Sequence, residues 1–324
     1  MSNIKQRIKR LATGSFDKQV SDLVASIIGS EKLTLLDVGA ANGTYDRWSA
    51  FSHHVNYFAV EPDARSNQDL LKSATNSSFS SQKLITKALW KSKGSIKLNL
   101  CRKPMASSVY EPNQEFFELF PDPERNDVMS QVELQTDTVD DIARESGARF
   151  DVIKLDVQGA ELDVLEGATN SLGGALAVDI EVEFTELYKG QPLFDQIFRF
   201  LRSHSIEFID FTYIYRWSPD SFNGIGQATF ADALFMPTPE RVGDSANTAR
   251  IRKYAITCAI YERGDLLMRL GRSCSKNSND DLAQKIELLG QLLARRNSTT
   301  QRRLNFVAKI IRVFHPRFRA HILH

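Results

Sequence analysis

Apolar positions along the chain fall into two rhythms. Short runs that are apolar at nearly every position stand at 33–38 (Leu-Thr-Leu-Leu-Asp-Val), 55–60, 150–155 and 176–182. Runs of this length between turn residues predict strands buried on both faces. Elsewhere apolar residues return every three or four positions. Tyr45, Trp48 and Phe51 do so, as do Leu162, Leu165 and Ala168, and Leu193, Phe194, Ile197, Phe198 and Leu201. That spacing lines one face of a helix.

In chain order the pattern predicts a leading helix or helix pair over 4–28, ended by Gly29, a strand over 33–38 and a helix over 43–51. A strand over 55–60 follows, then a helix over 63–75 opened by Asp63 behind Pro62. Next come a strand over 83–90 and an alternating, antiparallel strand over 95–101. Residues 102–130, rich in Pro, Asp, Glu, Ser and Asn, read as a long loop. A short strand over 131–135, a helix over 138–145 closed by Gly147, and a strand over 150–155 lead to a helix after Gly159. A strand over 176–182, a helix over 192–202 and strands over 206–213 and 228–236 complete this region, with helices at 249–260, 279–296 and 300–314 beyond it. Strands alternating with helices predict an α/β fold: a doubly wound, mostly parallel Rossmann-like sheet whose last two strands are antiparallel, carrying a helical C-terminal extension. The expected division is a helical segment over 1–30, a nucleoside-binding domain over 31–240 and a basic helical extension over 241–324.

Charge adds a feature that the net value of +1 conceals. Residues 241–324 hold 17 Lys and Arg against 6 Asp and Glu, whereas residues 1–240 hold 24 against 34. A basic tail on an acidic core can meet an anionic membrane surface or a protein partner, but packing on the acidic face of its own core or in a dimer interface is the preferred reading. No recognised binding module accompanies the charge, so nucleic acid is not expected as a partner. No apolar run is long enough to span a bilayer, and the basic residues 1–12 lack the apolar core of a secretory signal. Cys101, Cys258 and Cys274 have neither metal-ligand nor disulfide spacing and suit a reducing cytoplasm.

The chemistry concentrates after the first strand. Asp37, Gly39, Ala40, Ala41, Asn42, Gly43 and Tyr45 form a strand–glycine-loop–helix corner, the place where doubly wound sheets cradle a nucleotide. Glu61, followed by Pro62, ends the next strand about 20 residues further on, where a carboxylate accepts hydrogen bonds from ribose hydroxyls. The spacing is not Gly-x-Gly-x-x-Gly, and the acid Asp37 would repel a pyrophosphate. It suits a cofactor whose amino-acid end carries an ammonium, which favours S-adenosyl-L-methionine over a nicotinamide dinucleotide. Ala88 lies at a similar depth on the third strand. Trp90 either stacks on adenine or packs in the core, and core packing is the simpler account.

Residues 151–168 (Asp-Val-Ile-Lys-Leu-Asp-Val-Gln-Gly-Ala-Glu-Leu-Asp-Val-Leu-Glu-Gly-Ala) resemble the signature segment of the FkbM-type methyltransferases. The glycine loop 37–43, Glu61-Pro62, Thr138-Val139-Asp140 and segment 181–188 resemble that family too, so the likeness covers roughly 33–236. Ala41 stands where many methyltransferases have glycine. The resemblance implies a class I, S-adenosylmethionine-dependent O-methyltransferase acting on a hydroxyl of a saccharide or related metabolite. The alternatives are a catalytically silent nucleoside-binding module in a polysaccharide assembly and a nicotinamide-dependent oxidoreductase.

Asp156 ends the fourth strand of the expected parallel set and is the expected catalytic base, as well as a cofactor neighbour. Glu161 reads equally as a site carboxylate and as a helix-start charge. Asp179, Glu181 and Glu183 share one face of the next strand, and such burial needs cationic partners or an opening into the site. Position makes Glu183 the expected second catalytic carboxylate and Asp179 structural. Asp156, Glu181 and Glu183 offer oxygen ligands, but no His or Asp cluster has diagnostic metal spacing, so the metal-free reading is preferred. Arg102, Lys103, Ser107, Ser108 and Tyr110 form either an acceptor wall or a solvated loop. His53, His54 and His204 read as surface or structural residues.

Overall fold

The computed structural model describes residues 18–41, 43, 46–63, 65, 78–222, 224–276 and 280–296. Residues Lys32–Thr238 make one compact unit, and the described parts of Met1–Glu31 and Pro239–His324 make another. The N-terminal helix thus belongs with the C-terminal helices instead of forming a segment of its own.

The α/β unit is built on strands β1 (Leu33–Val38), β2 (Val55–Val60), β3 (Ser81–Ile85), β4 (Ala88–Leu89), β5 (Gly94–Cys101), β6 (Val128–Asp137), β7 (Val152–Leu155), β8 (Ala177–Glu183), β9 (Glu207–Trp217) and β10 (Gln227–Met236). Seven of them form one sheet in the order β3-β2-β1-β7-β8-β10-β9. The five from β3 to β8 are parallel, and β10 and β9 close the edge antiparallel. Every residue of β1, β7 and β8 is buried, which is why these strands read as near-solid apolar runs. Leu36, Val38, Ile153, Leu155, Val178 and Ile180 sit at the centre of the core. Parallel pairing sends the carboxyl ends of β1, β2, β7 and β8 to one edge, where doubly wound sheets bind ligands.

Several boundaries differ from expectation for identifiable reasons. The run 83–90 is two strands, because the chain leaves the main sheet after Ile85 and joins a second, three-stranded sheet, β4-β6-β5, at Ala88. The expected short strand 131–135 extends over ten residues, Val128–Asp137, because β5 pairs with it antiparallel. The loop 102–130 holds short helical turns at Pro104–Ala106, Gln114–Phe117 and Pro123–Asn126 and is bridged to the rest at Asn99–Ser108 and Pro112–Tyr188. A 3-10 helix, Asp46–His54, occupies part of the expected helix 43–51. Thr138 caps the helix Val139–Ser146 by accepting the Asp141 N–H, as its position predicts.

In the helical unit, residues 18–28, Pro239–Gly243, Thr248–Ile260, Gly264–Lys276 and 280–296 are helical. The helix Gly264–Lys276 was not anticipated, although Leu266, Leu267, Leu270 and Cys274 are buried at helical spacing. The basic pattern at 300–314 and most of the expected helix 63–75 lie outside the described residues. Among the described residues no helix is long and apolar enough to cross a membrane.

One close approach joins the two halves of the sheet edge. Gly39 has φ +80°, and a Cβ there would lie 1.8 Å from the Asp156 carbonyl oxygen. Its N–H and that of Ala40 both donate to the Val60 carbonyl, at 3.0 and 3.1 Å, while the Asp156 N–H donates to the Val38 carbonyl at 3.0 Å. Gly39→Ala combines a steric clash with a left-handed backbone, so it should destabilise the fold by more than about 2 kcal/mol. Urea unfolding should show a lower midpoint at unchanged slope; an unaltered midpoint would contradict this packing.

Candidate active site

The parallel strand ends open into a cavity of about 520 Å³. Gly39 and Ala41 after β1, Glu61 and Pro62 after β2, Ala88 in β4 and Asp156 after β7, all expected cofactor neighbours, line this one cavity. Trp90 lines it as well. Ala40 is fully buried behind the loop, and Gly43 donates its N–H to the Ala40 carbonyl at 2.8 Å without reaching the lining. Asn42 and Tyr45 lie outside the described residues. Glu61 is buried and accepts the Asp63 N–H at 2.8 Å. Burial pushes its carboxyl up to about 7.

Asp37 departs from expectation. It is 0% exposed and does not line the cavity. Adjacent residues of a strand face opposite ways, and Asp37 faces away from the lining residue Val38. Its register partner on β7 is Lys154, whose Nζ donates to Asp37 Oδ1 at 2.9 Å, and the Tyr57 hydroxyl donates to Oδ2 at 2.9 Å. Its negative charge is balanced inside the protein. Burial and the Asp37 charge hold the Tyr57 phenol far above its ordinary range.

Beyond β7 the backbone turns sharply. Gln158 takes φ +58°, a strained conformation for a residue other than glycine, and four contacts fix it. Its Nε2 donates to Asp156 Oδ1 and to Glu181 Oε1, both at 3.0 Å, its Oε1 accepts from the Tyr188 hydroxyl at 3.0 Å, and its carbonyl accepts from the Ser108 hydroxyl at 2.6 Å. The amide thereby ties two cavity-lining carboxyl groups together. Lys154 Nζ lies 3.9 Å from the second Asp156 oxygen.

The three acids of β8 share one face of the strand but differ in their surroundings. Asp179 pairs with Arg47 at 3.7 Å, in line with a structural role. Glu181 lines the cavity. Glu183, expected as the second catalytic carboxylate, is 0% exposed and absent from the lining. Desolvation, reinforced by neighbouring carboxylates, raises Glu181 and Glu183 well above the usual range and Glu161 to about 7. Opposite Glu181 on β10, burial likewise raises Asp232 to about 7.

The far wall is aromatic. Phe117, Tyr188, Tyr215, Trp217 and Phe230 line it. Trp217 packs against Phe117 at 5.8 Å and Phe230 at 5.9 Å between ring centroids, and the Arg125 guanidinium sits 4.8 Å from its ring. Lys103 and Asn126 add polar groups. Of the loop residues left open between wall and solvent, Lys103 and Ser107 line the cavity, Arg102 turns out to Asp127, and the Tyr110 hydroxyl donates to Asp163 at 2.6 Å. The members of the aromatic wall come from separate segments of the chain, and the alternation Tyr213-Tyr215-Trp217 is the sequence signal that points to it.

Residues 37–208, spanning the glycine loop, Glu61, Asp156 and all of β8, match the methyltransferase FkbM domain. The chain belongs to the FkbM methyltransferase family. It is an S-adenosylmethionine-dependent methyltransferase, which sets aside the nicotinamide reading. No curated protein matches it. Similar solved structures include a magnesium protoporphyrin IX methyltransferase from Synechocystis PCC 6803, at 10% identity over 73% of this chain and 85% of the other, with a TM-score of 0.34. An rRNA methylase from Streptococcus thermophilus is 9% identical over 67% of this chain and 93% of the other, with a TM-score of 0.33. The 1,6-didemethyltoxoflavin-N1-methyltransferase from Burkholderia thailandensis is 10% identical over 68% and 78%, with a TM-score of 0.31.

The FkbM-family chain buries Lys154 and Asp37 as an ion pair, 2.9 Å apart. Removing one partner strands the other's charge, so Lys154→Met should cost about 3–5 kcal/mol, and adding Asp37→Leu should recover most of the loss. Denaturant titration of the two variants measures this. Equal stability of wild type and Lys154→Met would contradict the pairing.

Proposed function

We propose that the protein transfers a methyl group to a hydroxyl of a saccharide or related small polyhydroxylated metabolite, with Asp156 as the base. The observation that carries this reading is the shared cavity: Asp156 and Glu181 line it together with the aromatic rings around Trp217. A sugar ring presents an apolar C–H face to an aromatic surface and hydroxyls at its rim, and the wall offers both an indole face and the polar groups of Lys103, Arg125 and Asn126.

The cavity fits the cofactor as well as the acceptor. Gly39 and Ala41 present backbone beside Glu61, a buried carboxylate that accepts from ribose hydroxyls, and Ala88 borders the same region. When bound, S-adenosylmethionine supplies an electrophilic methyl group. The residues of this chain orient the acceptor and handle its proton. Asp156 accepts the hydroxyl proton, Gln158 fixes the carboxylate's direction, and Tyr188 holds Gln158. Glu183 is absent from the cavity lining, so the proton is assigned to Asp156 alone. The acidic lining also suits a cofactor that brings a sulfonium and an ammonium. Cys101, Cys258 and Cys274, all free and buried, support placement in the cytoplasm.

Two measurements test this. Asp156→Asn should bind S-adenosylmethionine in calorimetry with little change yet slow methylation of a saccharide acceptor by about a hundredfold or more, read as the mass gain of one methylene. Undiminished turnover would remove Asp156 as the base. The second concerns Glu61, whose carboxyl sits at about 7. Below that pH it is protonated and a poorer acceptor for the ribose, so affinity for S-adenosylmethionine should rise about tenfold between roughly pH 6 and pH 8. Glu61→Gln should flatten the profile; an unchanged slope in that variant would contradict the assignment.

A further inference from the structure

Beneath the cavity floor three carboxyl groups converge. Glu161 comes from the first turn of the helix Glu161–Glu166, and Glu181 and Glu183 come from the same face of β8. One oxygen from each lies within 4.8 Å of the others. All three residues are buried, with exposures of 1%, 9% and 0%. The family activity leaves Glu161 and Glu183 without a task.

What sets the cluster apart from an ordinary group of acids is the fate of its oxygens. Glu161 Oε1 accepts the Val157 N–H at 2.7 Å and Glu181 Oε1 accepts from Gln158. Glu161 Oε2 and both oxygens of Glu183 have no hydrogen-bond partner among the described residues. Gln191, itself buried, leans its Nε2 toward Glu183 without meeting hydrogen-bond geometry, and its Oε1 is committed to the Tyr188 N–H at 2.5 Å. A fully buried carboxylate with neither oxygen satisfied is among the costliest arrangements a fold can hold. No lysine or arginine makes an ion pair with any of the three among the described residues, unlike Asp37 and Asp179, which have Lys154 and Arg47.

We propose that Glu161, Glu181 and Glu183 bind one divalent cation of the oxygen-seeking class. Hard cations take carboxylate oxygens at roughly 2.0–2.6 Å, and a cation among these three groups would satisfy the orphaned oxygens together. Glu181 is shared between this site and the cavity, so the cation lies one carboxylate away from Asp156, which the Gln158 amide joins to Glu181. Its first effect is on order: it fixes Glu181, and through Gln158 it fixes the direction of Asp156. The inference is independent of the acceptor's identity.

The test uses the full chain, stripped with a chelator and titrated with manganese chloride, followed by calorimetry and by the loss of the free-ion electron paramagnetic resonance signal. One equivalent should bind saturably. Glu183→Gln, which keeps the shape and removes the charge, should weaken binding by roughly tenfold or more. In chelator, Glu183→Gln should melt at or above the wild-type temperature. Added manganese should raise the wild-type melting temperature by more than the variant's at the same concentration, a difference that a purely structural carboxyl would not produce. Glu161→Gln serves as the second variant, and an anomalous difference peak among the three carboxylates in a manganese-soaked crystal locates the ion without any variant. Failure of manganese to bind to protein that still binds S-adenosylmethionine would overturn the proposal, as would a peak elsewhere or wild-type affinity in both variants. Calorimetry with S-adenosylmethionine on the same sample keeps that failure separate from a failure of the methyltransferase reading.

Discussion

A contact between two backbones sets everything else in place. Gly39 lies so close to the carbonyl of Asp156 that no other residue type fits between them. This fixes the turn after β1 against the turn after β7. The first turn brings Gly39 and Ala41 to the cavity, and the second brings Asp156. The distance between the two turns is therefore set by main chain, which is stiffer than any pair of side chains.

The electrostatic consequence is a strand edge crowded with acids. The protein treats them in three different ways. Asp37 and Asp179 are given internal cations, Lys154 and Arg47. Asp156 and Glu181 share the donor of Gln158, which holds a left-handed backbone to reach them. Glu183 is given neither. A substrate pair that arrives with positive charge, and a cation under the floor, would each lower the energy of the same region. The acidic edge thus reads as a site balanced by what it binds, and Glu61 follows the same logic on the cofactor side.

Much of this was legible in the chain. β1, β2, β7 and β8 announce themselves as solid apolar runs because both their faces are covered, and the carboxyl-end positions of Glu61 and Asp156 follow from strand direction alone. The fate of Asp37 was not legible, because it depends on the β1–β7 register that sets Lys154 opposite it. Glu181 and Glu183 share a face, so alternation cannot tell which reaches the cavity; that depends on how neighbouring elements cover the end of β8. The carboxylate cluster holds Glu161 where the sequence pointed to Asp156, because tertiary packing decides which helix residue meets a strand face. The aromatic wall draws on a loop turn, β9 and β10, whose meeting is a product of the antiparallel edge.

The most direct measurement is a crystal structure of the protein grown with S-adenosylhomocysteine. The account predicts the ribose hydroxyls on the Glu61 carboxylate, the sulfur turned toward the part of the cavity bounded by Asp156, and open space between that sulfur and Trp217. A nucleoside bound away from Glu61, or a sulfur facing away from Asp156, would contradict it.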